Sequence, residues 1–320
     1  MEVFVTDISA FELWFTDQPV IRVANPLQTV PQYQQTALSK GGVPWDELDR
    51  LGLRRPIHLA VPNPSKRRSS CNVICHVFRN PPASSFVRLS RNVYAEAPIP
   101  TLIKAAPRLP TGTLMQLIYQ MLGTYQIKQG AIAQRRPLAS LDQLVSYVQN
   151  SYRIKGLEAV RTLLPYAIEN VGSPEEAQLA TLLFLPERYG GQSLPLAEAN
   201  ARIKTSESAL VRTRFADLLW KPWKLILEYD SNQFHTGEDK IGHDSARRTQ
   251  LQADGYHVVS MTRHQLHDPS EFRDVIHTIR RFMGDAASHT HEPSRRTFTQ
   301  PEIELRHSLY RFDIARAVGL

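Results

Sequence analysis

The sequence predicts an α/β protein with an α+β front half, and three observations carry that prediction. Short apolar strands separated by Pro- and Ser-rich turns fill residues 1–100. Helical apolar stripes take over from 101 to 172. From Ser173 the order reads helix, two strands, helix, strand, helix, and a strand–helix–strand unit with that crossover implies a right-handed parallel pair. The expected organisation is a small basic α/β region over 1–100, a helical segment over 101–172, a third domain over 173–284, and a linker with a terminal helix over 285–320.

In the front region, Ser9-Ala-Phe-Glu12 has the capping-box spacing and is expected to start the first helix. Ile57–Val61, Asn72–Arg79, Phe86–Ser90 and Val93–Ala95 read as strands. Thr113–Tyr125 carries Leu114, Leu117, Ile118, Met121 and Leu122 on one helical stripe. Ser140 opens a second helix and Gly156–Asn170 a third, with Pro165 breaking or kinking it. Beyond Ser173, helix Ser173–Glu187 precedes strands Arg212–Trp220 and Trp223–Asp230. Helix Lys240–Asp254, closed by Gly255, leads to strand Tyr256–Met261. Asp268 caps a helix to about Met283, and Pro301–Val318 forms an amphipathic terminal helix.

With 42% hydrophobic and 22% charged residues, the chain has the makeup of a folded protein rather than a disordered one. No apolar run is long enough for a membrane helix, the N-terminus lacks a basic leader, and two cysteines build no disulfide framework; a cytoplasmic location is expected. Charge is uneven. Residues 1–172 hold 19 Lys and Arg against 11 Asp and Glu, whereas residues 173–285 hold 14 against 16. The basic front suits phosphate binding, with Lys66, Arg67 and Arg68 in a turn and Arg212 and Arg214 further on as candidate nucleic-acid contacts. Cys71-x-x-x-Cys75-His76 lacks the second ligand pair of a zinc site.

The informative chemistry lies between Asp217 and Asp230. A tight turn at Lys221-Pro222-Trp223-Lys224 would pair 219 with 226 and 217 with 228, setting Asp217 opposite Glu228 on one face. Asp230 shares the face of Glu228. Facing carboxylates among Phe, Ala, Leu and Ile repel, and a divalent cation relieves the repulsion, with Mg²⁺ or Mn²⁺ the expected ion. Glu176 starts toward the core on its helix, but Ser173-Pro-Glu-Glu176 is also a capping box. The alternative for the pair is a structural cluster neutralised by Arg212, Arg214 or Arg247.

The run Glu228-Tyr-Asp230-Ser-Asn-Gln-Phe-His235, then Asp244-x-x-Arg247-x-x-x-Leu251-x-x-x-Gly255-x-x-Val258, then Thr262, resembles the PD-(D/E)XK nuclease superfamily and most closely its very-short-patch-repair-type branch. The resemblance covers about 110 residues of the chain. It implies a restriction-endonuclease-like three-layer fold, a central mixed β-sheet flanked by helices, and Mg²⁺-dependent hydrolysis of DNA phosphodiesters in phage defence or repair. It also implies that Asp217 and Glu228 hold the metal, Glu176 is the helix-borne acid, His235 lies near the scissile phosphate, and Asp244 and Arg247 support the site. Two positions depart from the pattern. The lysine usual two residues after the Glu is Asp230, leaving His235 to act as base or charge stabiliser, and Ser231 stands where Gly is common. Arg91-Asn-Val-Tyr94 and Leu122-Gly-Thr-Tyr125 resemble, more faintly, abortive-infection antitoxin-like regulators. The rival readings are a catalytically silent nuclease fold serving as a DNA-binding or antitoxin-type regulator, and a protein that recruits a partner encoded nearby.

Overall fold

The computed structural model describes residues 1–16, 26–36, 42–68, 70–128, 130–205, 212–230, 248–284 and 297–319. The chain is mixed α/β and divides into two compact units, Met1–Ala167 with Arg311–Leu320, and Ile168–Tyr310. The described residues of 1–100 and most of 101–172 therefore share one unit, joined by the last ten residues.

The first unit is built on a five-stranded mixed sheet of order β3-β2-β1-β5-β4. Its strands are β1 (Val3–Val5), β2 (Ile57–Val61), β3 (Val73–Val77), β4 (Phe86–Arg88) and β5 (Val93–Glu96). The central strand, β1, was not anticipated. Three apolar residues give too short a run to show periodicity, and only its neighbours β2 and β5 define it. Phe4 on β1 packs against Tyr33, Phe86 and Tyr94 with ring centroids 4.9, 5.0 and 4.8 Å away, an aromatic core on one face of the sheet.

Helix α1 (Asp7–Phe15) starts two residues before the expected cap. Ser9 and Glu12 do not close a capping box because both are drawn elsewhere. The Ser9 hydroxyl accepts from the His58 amide at 3.0 Å, and Glu12 takes the Arg54 guanidinium at 2.9 Å. Helices α2 (Trp45–Arg50), α3 (Pro98–Ala105), α4 (Thr111–Leu122), α5 (Leu141–Asn150) and α6 (Leu157–Leu163) follow. Ser140 and Gln143 form the full capping box of α5, and Pro165 ends the third helix in a 3₁₀ turn. Helix α4 ends at Leu122, and Tyr125, the end of the predicted helical stripe, opens the hairpin of β6 (Tyr125–Lys128) and β7 (Ala131–Gln134).

The second unit opens with α7 (Pro174–Phe184), capped by Ser173, whose hydroxyl accepts from the Glu176 amide. Its sheet has order β11-β10-β9-β8, formed by β8 (Glu198–Thr205), β9 (Arg212–Trp220), β10 (Leu225–Asp230) and β11 (His257–Thr262). β8 is one strand more than expected. Its Ala199, Ala201 and Ile203 alternate inward, but alanine favours helices and disguises the period. β9 and β10 pair antiparallel with Ile226 opposite Leu219, the expected register, and β10 and β11 run parallel. Residues 248–253 are helical (α8), and Gly255 after them takes φ 81°, the left-handed C′ position. α9 (Arg263–His267) and α10 (Pro269–Phe282) follow, the latter capped by Asp268 as expected. The expected terminal helix is two, α11 (Gln300–Tyr310), which ends the second unit, and α12 (Ile314–Val318), which belongs to the first.

Candidate functional site

In the second unit the sheet is interrupted around Asp217. The β9–β10 ladder runs through Leu227 opposite Leu218 and stops one step short of the expected pair, Asp217 and Glu228. Asp217 Oδ2 instead accepts from the Tyr229 amide at 2.8 Å, so a carboxylate occupies a place where a ladder carbonyl would stand. On the other side of β9, the ladder to β8 pairs Ala199 with Leu218 and Ala201 with Ala216, skipping Asn200 and Asp217. Asn200 adopts φ 48°, the left-handed region that Asn tolerates better than most residues. Its amide donates to the Asn170 carbonyl at 2.9 Å and to Glu176 Oε2 at 2.8 Å. The break thus turns side chains from β8, β9 and α7 toward one another.

Glu176 is the clearest member of this group. Its carboxylate accepts from the Gly172 amide at 2.9 Å, from the Ser173 hydroxyl at 3.0 Å and from Asn200, and each of these donors is neutral. The anticipated capping box is therefore half formed: Ser173 caps the helix, but the carboxylate reaches past it to Gly172 and across to β8. Burial pushes the Glu176 carboxyl above its usual range; the Gly172 amide pulls it back and the nearby Asp217 carboxylate pushes it further up. The carboxylates of Glu176 on the helix and Asp217 on the strand are thus close enough to perturb each other. Glu228 is half-buried on β10, and Asp230 is exposed at the end of that strand, paired in register with Thr262.

His235, Asp244 and Arg247 lie outside the described residues. Arg212 and Arg214 are placed only as backbone positions on β9, opposite Thr205 and Ile203. Lys66 ends a 3₁₀ turn in the first unit, and Arg67 and Arg68 beside it are exposed. Cys75 is buried with its thiol donating to the Arg68 carbonyl at 3.0 Å, while Cys71 is exposed, which leaves that pair without a shared environment.

A different cluster escaped the sequence. Asp7, His58 and His76 each bring a donor atom within 4.8 Å of the other two, a spacing that Glu176, Asp217 and Glu228 do not reach among the described residues. His58 and His76 stand on the parallel strands β2 and β3, with Ala60 opposite His76, so the two rings are diagonal neighbours and stack at 4.9 Å. His76 Nδ1 faces Asp7 Oδ2 at 3.3 Å, and His76 Nε2 meets His58 Nδ1 at 2.8 Å. If His76 is neutral and donates to Asp7, its Nε2 must accept from His58, giving a one-way relay from His58 through His76 to Asp7. Burial holds both imidazoles below their ordinary range, against the pull of Asp7. Arg108 Nη2 donates to Asp7 Oδ1 at 2.8 Å, so the carboxylate is already neutralised. Both nitrogens of His76 are engaged and a guanidinium holds the acid. This closed network favours a satisfied polar core over a cation site. The legible signal was a histidine inside each of two otherwise apolar strands, Ile57–Val61 and Val73–Val77.

Compared with family models, with curated proteins and with solved structures, the chain matches none.

Proposed function

We propose that the second unit is a metal-dependent nuclease domain of the PD-(D/E)XK type that hydrolyses DNA phosphodiesters with Mg²⁺ or Mn²⁺. The observation that carries this reading is the juxtaposition of Glu176 and Asp217 at a break in the sheet, with Glu176 held by neutral donors alone. Carboxylates brought close together repel one another, and a divalent ion relieves that repulsion. The ion does not require the close spacing of a zinc site, because Mg²⁺ keeps several waters and takes one or two protein carboxylates. The mixed sheet with helices, and the β9–β10 register, agree with the architecture that the resemblance implies.

In this reading Asp217 and Glu228 hold the metal and Glu176 orients the ligands around it. A bound metal would polarise the phosphoryl group and acidify a water for in-line attack. With Asp230 in the lysine's place, proton handling falls to His235. Nicking of supercoiled plasmid by the full chain tests the assignment. The parent should cut with Mg²⁺ or Mn²⁺, and Asp217→Asn and Glu228→Gln should not. The second reading, a silent nuclease fold that binds DNA as a regulator, is favoured by Asp230. It takes the lead if the parent binds DNA but cuts no substrate with either metal.

A further inference from the structure

The first unit contains a cleft of about 750 Å³ whose walls come from α1, β3, α3 and the loop between α5 and α6. Five cations line it: Arg79, Lys104, Arg108, Arg153 and Lys155. Two are matched by acids, since Arg108 pairs with Asp7 and Lys104 with the fully buried Glu96. No ion pair among the described residues engages Arg79, Arg153 or Lys155, so three positive charges face the opening uncompensated. Tyr152 lies between Asn150 and Arg153 on the rim and is 79% exposed, a large ring that the fold leaves in water.

An uncompensated cationic cleft concentrates anions, and the fixed pairs at its floor keep the remaining charges from collapsing onto local carboxylates. The ring adds a second requirement, because an exposed aromatic among cations suits a ligand with both a flat face and a phosphate. Duplex DNA hides its base faces, whereas a single strand offers a base for stacking and a phosphate on either side. The geometry points to this cleft as a binding site for single-stranded nucleic acid, with a base stacked on Tyr152 and backbone phosphates on Arg79, Arg153 and Lys155. The Asp7–His76–His58 relay beneath supplies a rigid floor and no reacting group, since both nitrogens of His76 are taken.

This inference rests on the first unit alone and goes beyond the nuclease reading, whose carboxylates lie in the second. Binding measured in EDTA keeps it separable from cleavage, because nicking can fail with the cleft intact. The experiment titrates the full chain with a short labelled oligothymidylate, with the matching duplex, and with thymidine monophosphate, across a range of salt. The parent should prefer the single strand to the duplex. Arg153→Glu with Lys155→Glu should weaken oligothymidylate by about tenfold or more and reduce the salt slope by about 1.4, the effect of two lost single-strand phosphate contacts. Tyr152→Ala should weaken it by about fivefold or more while leaving the salt slope in place. Lys128→Glu, an exposed charge reversal outside the cleft lining, should change affinity by about twofold or less. All four altered positions are exposed, and melting curves matching the parent would show that the fold is retained. Undiminished binding by Tyr152→Ala, or equal losses from Lys128→Glu and the cleft variants, would overturn the site in favour of general surface charge. Tighter binding of the mononucleotide than of the strand would overturn the nucleic-acid assignment.

Discussion

Two acid clusters, Asp7 with its histidines in the first unit and Glu176 with Asp217 in the second, handle charge in different ways. In the first unit Glu12 is matched with Arg54, Asp7 with Arg108, and Glu96 with Lys104 and Thr6. Glu47 shows the same habit with neutral donors, since Ser90 and Asn92 hold its carboxyl down at about 2. In the second unit Glu176 sits among neutral donors beside another carboxylate, and its affinity for a proton rises. A buried carboxylate raised by desolvation and by a neighbouring carboxylate is the kind of group that clusters at functional sites. His58 and His76 look chemical in isolation yet are closed, whereas Glu176 and Asp217, a helix-cap residue and a strand residue, sit close enough to perturb each other.

The largest effect that can break this contrast is on cleavage. Asp217→Asn should reduce nicking to the metal-free background while the apo protein stays folded, because Asn can still accept from the Tyr229 amide. His76→Gln, in the closed cluster, should leave nicking unchanged. Plasmid nicking alongside melting without metal reads both, and unfolding of Asp217→Asn would show that the carboxylate is structural instead. His235→Ala should lower the rate by about 10²–10⁴-fold with metal affinity unaltered, and Asp230→Lys in that background should recover part of it. A His235→Ala protein that cuts as fast as the parent would leave water activation to the metal alone.

Acid sharpens the comparison because the two clusters respond with opposite sign. His58 and His76 are held below the ordinary 6.5, so below that pH the unfolded chain binds protons that the folded chain resists. Stability present above 6.5 is therefore lost as pH falls toward the folded values, and Asp7, held low, adds loss in the same direction at lower pH. Glu176 is held above 4.5, so the folded chain takes its proton first and stability is gained as pH falls through that raised value. Melting of the parent should fall on acidification below 6.5, with His76→Gln flattening the slope. The smallest effect belongs to Glu176→Gln, which should raise apo melting slightly at neutral pH and remove the gain on acidification. A steeper acid loss in His76→Gln, or no pH response to Glu176→Gln, would erase the distinction.

The hairpin at Lys221–Trp223 and the α10 cap were legible because turn chemistry and capping act within a few residues. Asp217 and Glu228 were legible as candidates for the same reason, since one local register relates them. The ladder break was not, because it depends on Asn200 in β8, a strand whose alanines concealed it. The Asp7–His58–His76 cluster was hidden for a topological reason: its members meet only when β1, β2 and β3 assemble in one sheet. The cationic cleft likewise joins residues from β3, α3 and the α5–α6 loop, which no single window of sequence contains.

The central claim, that the second unit's carboxylates are completed by a divalent cation, is tested most directly by melting the full chain against Mn²⁺. The parent should gain stability as RT ln(1 + [L]/Kd), about 2.7 kcal/mol at a hundredfold excess over Kd. Asp217→Asn should show little of that gain, and His76→Gln should show all of it. An equal response from the parent and Asp217→Asn, or a response lost only in His76→Gln, would contradict the account.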